Sequence, residues 1–373
     1  MLKQVFSSRP KGEKLVVFAV LFLACLTLAH AIYYSYSAYY EEIRSNHPGL
    51  SQQAYYRLEN TVAVSPDHPL YSGTDHAPNQ YRIGVAYSVK FIAEKLHIKK
   101  YYILFSSVDF TAAFLTCSIL YLLLCDSPFF RSLKASSQTM TVMLFLISLA
   151  YPFSWVVPWQ RYETLPTSMY LALMLLLLDR VRSHRAWTIA ILVITVWQAF
   201  VRADVPAIFG LAICLFTSTP YAKEMFGTRK RSFLYGCSIL ITALAIQAYL
   251  KFIVFPHATY PPSTPVLGFV YNLEIRHLTT FAIAILPFAF TFVLASKYRK
   301  QLDSTDVLIL FASNAYLPLW WTVGMTVEVR IFVPFLLAST PTIAKLMLLV
   351  LERQERSQLP VSLPGQLLVE QAS

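Results

Sequence analysis

A succession of long apolar runs separated by short charged segments limits this chain more than any other feature. Such runs fall near residues 15–34, 102–125, 139–158, 165–179, 187–201, 204–218, 233–254, 279–296, 306–323 and 329–350. A helix needs about 20 apolar residues to cross the ~30 Å hydrocarbon core, and fewer where it is short and packed inside a bundle. Backbone amides in lipid must be satisfied within the segment, so runs of this kind are expected to be helices. The composition agrees, because 56% of residues are hydrophobic and 14% charged, whereas soluble domains carry about 25% charged residues. A soluble globular enzyme, a disordered chain and a nucleic-acid-binding module are thereby excluded. The expected fold is all-α: a polytopic transmembrane helical bundle of about ten spans, formed as one domain over 1–351 and followed by a polar inner tail, 352–373.

The net charge of +11 has a direction. With the N-terminus inside, the inner segments collect Lys3, Arg9, Lys11 and Lys14, then Arg131 and Lys134, and then Arg180, Arg182 and Arg185. Further along they hold Lys223, Arg229, Lys230 and Arg231, then Lys297, Arg299 and Lys300, and finally Arg353 and Arg356. This is the positive-inside bias of a cytoplasmic membrane protein, and it places both termini in the cytoplasm. Residues 1–31 also fit a signal peptide that ends at Ala29-His30-Ala31, although an uncleaved first helix is the more usual reading for such a chain. The five cysteines lie in or beside apolar runs without a Cys-x-x-Cys spacing, and they read as small hydrophobes.

One sizeable polar segment, 35–100, follows the first span on the outer side. Its centre is rich in turn residues, and Asp67-His68 and Asp75-His76 repeat a dipeptide eight residues apart. Aspartate and histidine can ligate a divalent cation such as magnesium or manganese, and aspartate can act as a base. Turn-rich loops also favour aspartate for backbone reasons alone. Residues 81–100 place Ile83, Tyr87 and Phe91 at helical spacing beside Lys90, Glu94 and Lys95, as expected of an amphipathic helix lying in the interface.

The outer hairpins hold the most informative pattern. Each carries an arginine and a carboxylate two residues apart: Arg161/Glu163, Arg202/Asp204, Glu274/Arg276 and Glu328/Arg330. Positive-inside orientation does not explain these arginines, and charge near a membrane is costly. Residues i and i+2 do not face each other on a helix, so each pair is expected to point to two different partners. Guanidinium forks suit phosphate, and a carboxylate beside them can serve as a base or metal ligand. The plainer alternative is that these pairs are helix caps and interfacial anchors; Asp204, two residues before Pro206, has the look of an N-cap. Glu41 and Glu42 follow the first span, and Asp109 lies inside the second, where a carboxylate is a functional candidate by default. Trp155, Trp159, Trp320 and Trp321 suit an interfacial belt or flat platforms for sugar rings or an isoprenoid tail.

Together these features resemble the GT-C superfamily of integral-membrane glycosyltransferases, in particular its uncharacterised bacterial members. Four stretches carry the likeness. Asn79-Gln80-Tyr81-Arg82 opens the interfacial helix, and Arg161-Tyr162-Glu163 precedes a span. Val201-Arg202-Ala203-Asp204 is similar to a departed Asn-Arg-Glu-Thr hairpin. Val327-Glu328-Val329-Arg330-Ile331-Phe332, followed by Pro334, is similar to a Glu-x-Arg motif before the last span. The resemblance implies transfer of a sugar from a polyprenyl-phosphate donor to a lipid, glycan or protein acceptor on the outer face. A carboxylate in the first outer loop would deprotonate the acceptor while arginines, with or without a divalent cation, hold the departing phosphate. The Asp-Asp or Asp-Glu pair common in that family soon after the first span is absent from this loop. Asp75, seven residues before Arg82, is the first candidate for the base, and Asp67 and Glu42 are the next. Arg82, Arg161, Arg202, Arg276 and Arg330 are the candidate phosphate ligands, supported by Glu163, Asp204, Glu274 and Glu328. Alternative readings are a transporter or flippase of an anionic envelope precursor, to which Asp109 and Lys345 inside spans would be relevant, and a non-catalytic relative.

Overall fold

The structure, a computed structural model, describes residues 11–46, 82–98, 101–156, 162–181, 186–256, 272–323 and 329–358. Asp67, Asp75, Arg161 and Glu328 lie outside these residues, as do the side chains of Glu42 and Arg276. Among the described residues the chain is helical and contains no strand. The principal helices are α1 (Lys11–Asn46), α2 (Ile83–Leu96), α3 (Tyr101–Asp126), α4 (Pro128–Ser132), α5 (Ala135–Val156), α6 (Thr164–Val181) and α7 (Ala186–Arg202). They continue as α8 (Asp204–Phe216), α9 (Tyr221–Phe226), α10 (Arg229–Tyr249), α11 (Ile275–Tyr298), α12 (Ser304–Val323) and α13 (Val333–Gln358).

Each of the ten apolar runs lies in or overlaps a helix. Among the described residues, five segments are long and apolar enough to cross a membrane: Gly12–Ser37, Tyr102–Asp126, Ala135–Val156, Arg229–Val254 and Arg330–Gln354. Three apolar segments are shorter, Thr164–Leu178, Trp187–Arg202 and Asp204–Phe216. At 1.5 Å per residue, the 13 residues of α8 reach only about 20 Å. Length alone therefore makes α8 an inner element of the bundle, and its side chains agree: Val205, Ile208, Phe209, Ala212, Ile213 and Phe216 are all buried.

Helices α7 and α8 form a hairpin against α10. Thr188 meets the Tyr235 hydroxyl near the start of α10, and Phe200 packs on Leu250 just beyond its end, so α7 runs parallel to α10. Helix α8 runs back along it, with Cys214 Sγ 3.7 Å from Cys237 Sγ and Thr217 Oγ1 3.3 Å from Ser232 Oγ. Two glycines bring these backbones into contact. A Cβ on Gly210 would stand 2.6 Å from the Leu240 nitrogen, and one on Gly236 would stand 2.6 Å from Cys214 Sγ and 2.7 Å from its nitrogen. Small residues at a helix crossing of this kind let dispersion replace the hydrophobic drive that lipid does not supply.

Helix α2 departs from its sequence pattern. The Ile83, Tyr87 and Phe91 stripe faces mainly outward, with Tyr87 and Phe91 exposed, while Gly84, Val85, Ala86, Val89 and Ala93 are buried. Small residues win the inner face because α2 lies very close to α7: a Cβ on Gly84 would meet Val201 Cγ2 at 2.8 Å and the Phe200 carbonyl carbon at 3.2 Å.

The opposite end of the bundle is closed by a buried lysine. Asp303 and Asp306 form a reciprocal cap at the start of α12, where the Asp306 amide donates to Asp303 Oδ1 (3.0 Å) and the Asp303 amide to Asp306 Oδ2 (3.1 Å). From α13, Lys345 Nζ donates to Asp303 Oδ2 (2.8 Å) and to both Asp306 oxygens (3.0 and 2.8 Å), and Thr342 donates to Asp306 Oδ1 (2.7 Å). Lys345, read from sequence as a charge inside a span, is thus a tie between α12 and α13.

The glycine contact yields a direct expectation. Gly210→Ala or Gly236→Ala pushes a methyl into backbone rather than into a flexible side chain, so each is expected to destabilise the protein by roughly 1–3 kcal/mol. Thermal melting of the detergent-solubilised variants measures this, and Gly12→Ala, where a Cβ meets nothing within 4 Å, is the control.

Candidate functional site

The tip of the α7–α8 hairpin is the three-residue sequence Arg202-Ala203-Asp204. Helix α7 ends at Arg202 and α8 begins at Asp204, with Ala203 between them as the N-cap. The chain reverses there, and the reversal overturns the expectation that residues two apart point to different partners. Arg202 Nε donates to Asp204 Oδ1 at 3.0 Å and Arg202 Nη2 to Oδ2 at 2.9 Å, a bidentate pair that a continuous helix does not permit. Asp204 is accordingly not the N-cap that its position before Pro206 suggested but the first residue of α8, in its first turn.

Helix α12 completes the arrangement. The Tyr316 hydroxyl accepts from Arg202 Nη2 at 2.6 Å and donates to Asp204 Oδ2 at 2.7 Å, closing a triangle across 114 positions of sequence. The Trp320 ring, one turn further along, lies 5.7 Å from the Arg202 guanidinium carbon, within cation–π range. Tyr316 is held by aromatic neighbours, Phe335 at 4.5 Å and Phe332 at 5.9 Å between ring centroids. Arg202 is 2% exposed, and three of its five N–H donors serve Asp204 and Tyr316. It is a buried structural cation with little left to offer a ligand.

Arg82 is the contrasting case. It precedes α2, and the close approach of Gly84 to Phe200 and Val201 sets it beside the hairpin tip. Arg82 Nη1 donates to Glu163 Oε1 at 2.7 Å, with the arginine side chain 17% exposed and the glutamate 4%. Both lie within Coulombic reach of the triangle, Arg82 of Asp204 and Tyr316, and Glu163 of Arg202. Among the described residues Arg82 uses one of its donors, so its guanidinium fork has capacity for an anion. Two arginines and two carboxylates from four elements thus share one polar cluster.

The remaining sequence candidates divide between this end and the undescribed residues. Arg330, 7% exposed, sits on the short 3₁₀ turn Val329–Phe332, whose Phe332 packs edge-on against Tyr316. Asn272, two residues before Glu274, donates to the Trp321 carbonyl at 2.9 Å, and Glu274 pairs with His277 at 3.7 Å. Glu42 belongs to the last turn of α1. Asp109 is buried between α1 and α3 and accepts from the Tyr36 hydroxyl at 3.3 Å. Sequence reasoning missed Tyr316. Its signal was a tyrosine deep in an apolar run, whose hydroxyl needs a partner once buried.

An apolar groove of about 410 Å³ runs beside the cluster between α2, α3, α6 and α7. Gly84 and Pro166 line it, two and three residues from Arg82 and Glu163. Its serine and threonine hydroxyls are internally engaged, because Ser88, Ser107 and Thr111 each donate to the carbonyl one turn back, at 2.7, 2.8 and 2.8 Å. The wall offered to an occupant is therefore apolar. Among the described residues no three His, Cys, Asp or Glu side chains come together as metal ligands; Asp67, His68, Asp75 and His76 lie outside those residues.

The fold and cluster describe an all-helical protein with several membrane-length apolar helices and a buried ionic site at one end. No family model matches the chain, and neither a curated protein nor a solved structure matches it.

The two arginines are expected to behave differently. Arg202→Met removes three hydrogen bonds from the triangle and leaves the half-buried Asp204 without its nearest counter-ion, and it is expected to cost about 3–5 kcal/mol. Arg82→Met takes one charge-assisted hydrogen bond from the buried Glu163 and is expected to cost less, about 1.5–3 kcal/mol. Melting temperatures of the two variants, measured side by side in detergent, test the difference.

Proposed function

We propose that the protein is a membrane glycosyltransferase that moves a sugar from a polyprenyl-phosphate donor to a lipid, glycan or protein acceptor. The observation that carries this reading is a guanidinium with donors to spare beside an apolar groove. Arg82 suits the phosphate of the carrier, and the groove under α2 suits its isoprenoid chain. A lipid phosphate needs both properties side by side, whereas a soluble phosphate needs only the first.

In the transfer, the bond between the anomeric carbon and the phosphate oxygen breaks and polyprenyl phosphate leaves. The acceptor oxygen bonds to that carbon, and its proton passes to a carboxylate. Arg82 would stabilise charge that develops on the departing phosphate, with Arg330, Arg161 and Arg276 as further candidates from neighbouring hairpins. Asp75 is the proposed base on sequence grounds, with Asp67 and Glu42 next. The distribution of lysine and arginine supports ten spans in a bacterial cytoplasmic membrane, with both termini cytoplasmic and this cluster on the outer face. The outward stripe Tyr87 and Phe91 on α2 suits contact with lipid at the interface.

The test uses membranes that hold comparable amounts of wild-type, Arg82→Ala and Asp75→Asn protein, given polyprenyl-phosphate donors that carry radiolabelled hexoses or pentoses. Wild type is expected to move label onto an acceptor, and Arg82→Ala to lower the rate roughly 10²–10³-fold. Label that enters sealed vesicles without covalent change would instead support transport. Transfer that is indifferent to Arg82 would overturn its assignment as phosphate ligand.

A further inference from the structure

Cys214 and Cys237 face each other across the α8–α10 crossing, with their Sγ atoms 3.7 Å apart. The glycine contact places them there, because it brings the Cys214 nitrogen to within 2.7 Å of where a Cβ on Gly236 would stand. Cys214 Sγ also lies 3.9 Å from the Phe233 carbonyl, one turn of α10 before Cys237, so its thiol is directed at that turn of the neighbouring helix. A disulfide has an S–S bond of about 2.05 Å. The sulfurs must therefore approach by about 1.7 Å in all, an adjustment of two side-chain torsions with the helices in place.

Exposure separates this pair from the other cysteines. Cys25 and Cys117 also meet, from α1 and α3, but both are wholly buried, and Cys125 is buried as well. Cys214 and Cys237 are each partly exposed. Cys237 lies about 12 Å along α10 from Arg229, inside the membrane-length segment Arg229–Val254. The surface around the pair is apolar, because Leu211, Leu215, Phe233 and Ile241 are exposed beside it, at the neighbouring positions of the two helix faces. A reagent that reaches sulfur on such a surface has to dissolve in hydrocarbon. Glutathione disulfide does not, whereas an organic hydroperoxide with an apolar body does.

We infer that Cys214 and Cys237 form a reversible dithiol–disulfide site that is oxidised by an apolar organic hydroperoxide. One thiol attacks the peroxide, the O–O bond breaks, an alcohol leaves and the sulfur becomes a sulfenic acid. The second thiol, at 3.7 Å, attacks that sulfur, so that the S–S bond forms and water leaves. Together the two sulfurs lose two electrons, and the peroxide gains them. The bridge spans 23 positions of sequence and ties α10 to α8, the helix whose first turn carries Asp204. The site lies at the far end of α8 from the Arg202 cluster and does not depend on the transferase reading.

Thiol counting on the purified, reduced full chain in detergent tests the site. The protein is treated with cumene hydroperoxide, denatured, and labelled with a maleimide–polyethylene glycol that adds a fixed mass to each free thiol. Untreated protein is expected to carry five labels, one for each cysteine. Treated protein is expected to carry two fewer, and dithiothreitol to restore them. Hydrogen peroxide at equal concentration is expected to act about 10-fold more slowly, since it gains nothing from the apolar surface. Cys214→Ser and Cys237→Ser are each expected to prevent the bridge and to leave the remaining thiol as a sulfenic acid that dimedone traps. The count on wild type needs no variant, so it decides the matter even where a serine variant fails to fold. Five labels retained after cumene hydroperoxide overturn the inference, and equal rates with hydrogen peroxide overturn the choice of oxidant. A loss of two labels that persists in the double variant Cys214→Ser/Cys237→Ser overturns it by placing the bridge at Cys25 and Cys117. A disulfide-linked dimer overturns it by showing that the sulfurs pair between copies.

Discussion

A guanidinium almost wholly removed from solvent has to be neutralised where it stands, and most of the architecture at this end of the bundle follows from how Arg202 is neutralised. Its partner, Asp204, is two residues away, so the chain must reverse between them, and α7 and α8 become a hairpin instead of one long helix. The second partner, Tyr316, draws in α12, and Trp320 follows one turn later on the same helix. Gly84 then allows α2 to reach the hairpin backbone, which delivers Arg82 and, through it, Glu163.

The two polar ends of the molecule solve the same electrostatic problem with different residues left over. At one end Lys345 is enclosed by Asp303 and Asp306, both already engaged in capping α12, and Thr342 takes a further lone pair. The result is a closed structural tie. At the other end the number of donors and acceptors does not close: Arg82 retains N–H groups and Asp204 retains an acceptor edge. Chemistry needs groups that are held firmly yet incompletely satisfied, and this is why the proposed phosphate ligand, Arg82, is taken from the Arg202 end.

Helix length and helix packing are linked in the same way. Helix α8 is too short to cross a bilayer unaided, and α7, α10 and α12 bury most of it, leaving Leu211 and Leu215 exposed. The backbone contact at Gly210 and Gly236 makes that burial dense enough for a 13-residue helix to hold its place, and with it the position of Asp204 at its first turn.

Much of this was legible from residue order. Apolar runs of this length dictate helices, because lipid supplies no partner for backbone amides, and each run does fall in or across one. The arginine–carboxylate pairs at the hairpins stand out as costly charges beside apolar runs, and Arg82, Glu163, Arg202 and Asp204 do form a single cluster. What order could not supply was the pairing within it. Spacing along a helix predicts that positions two apart diverge, and that rule fails once the helix ends at Arg202. Tyr316, the second partner of Arg202, lies 114 positions away, and Glu163, the partner of Arg82, lies 81 away, separations that only packing can close. The sequence by itself determined that the chain is helical, apolar and charged at particular hairpins, since those follow from solvation of each segment. Tertiary structure alone decided which arginine is buried and which keeps donors for a ligand, because burial belongs to the surroundings of a side chain rather than to its place in the sequence.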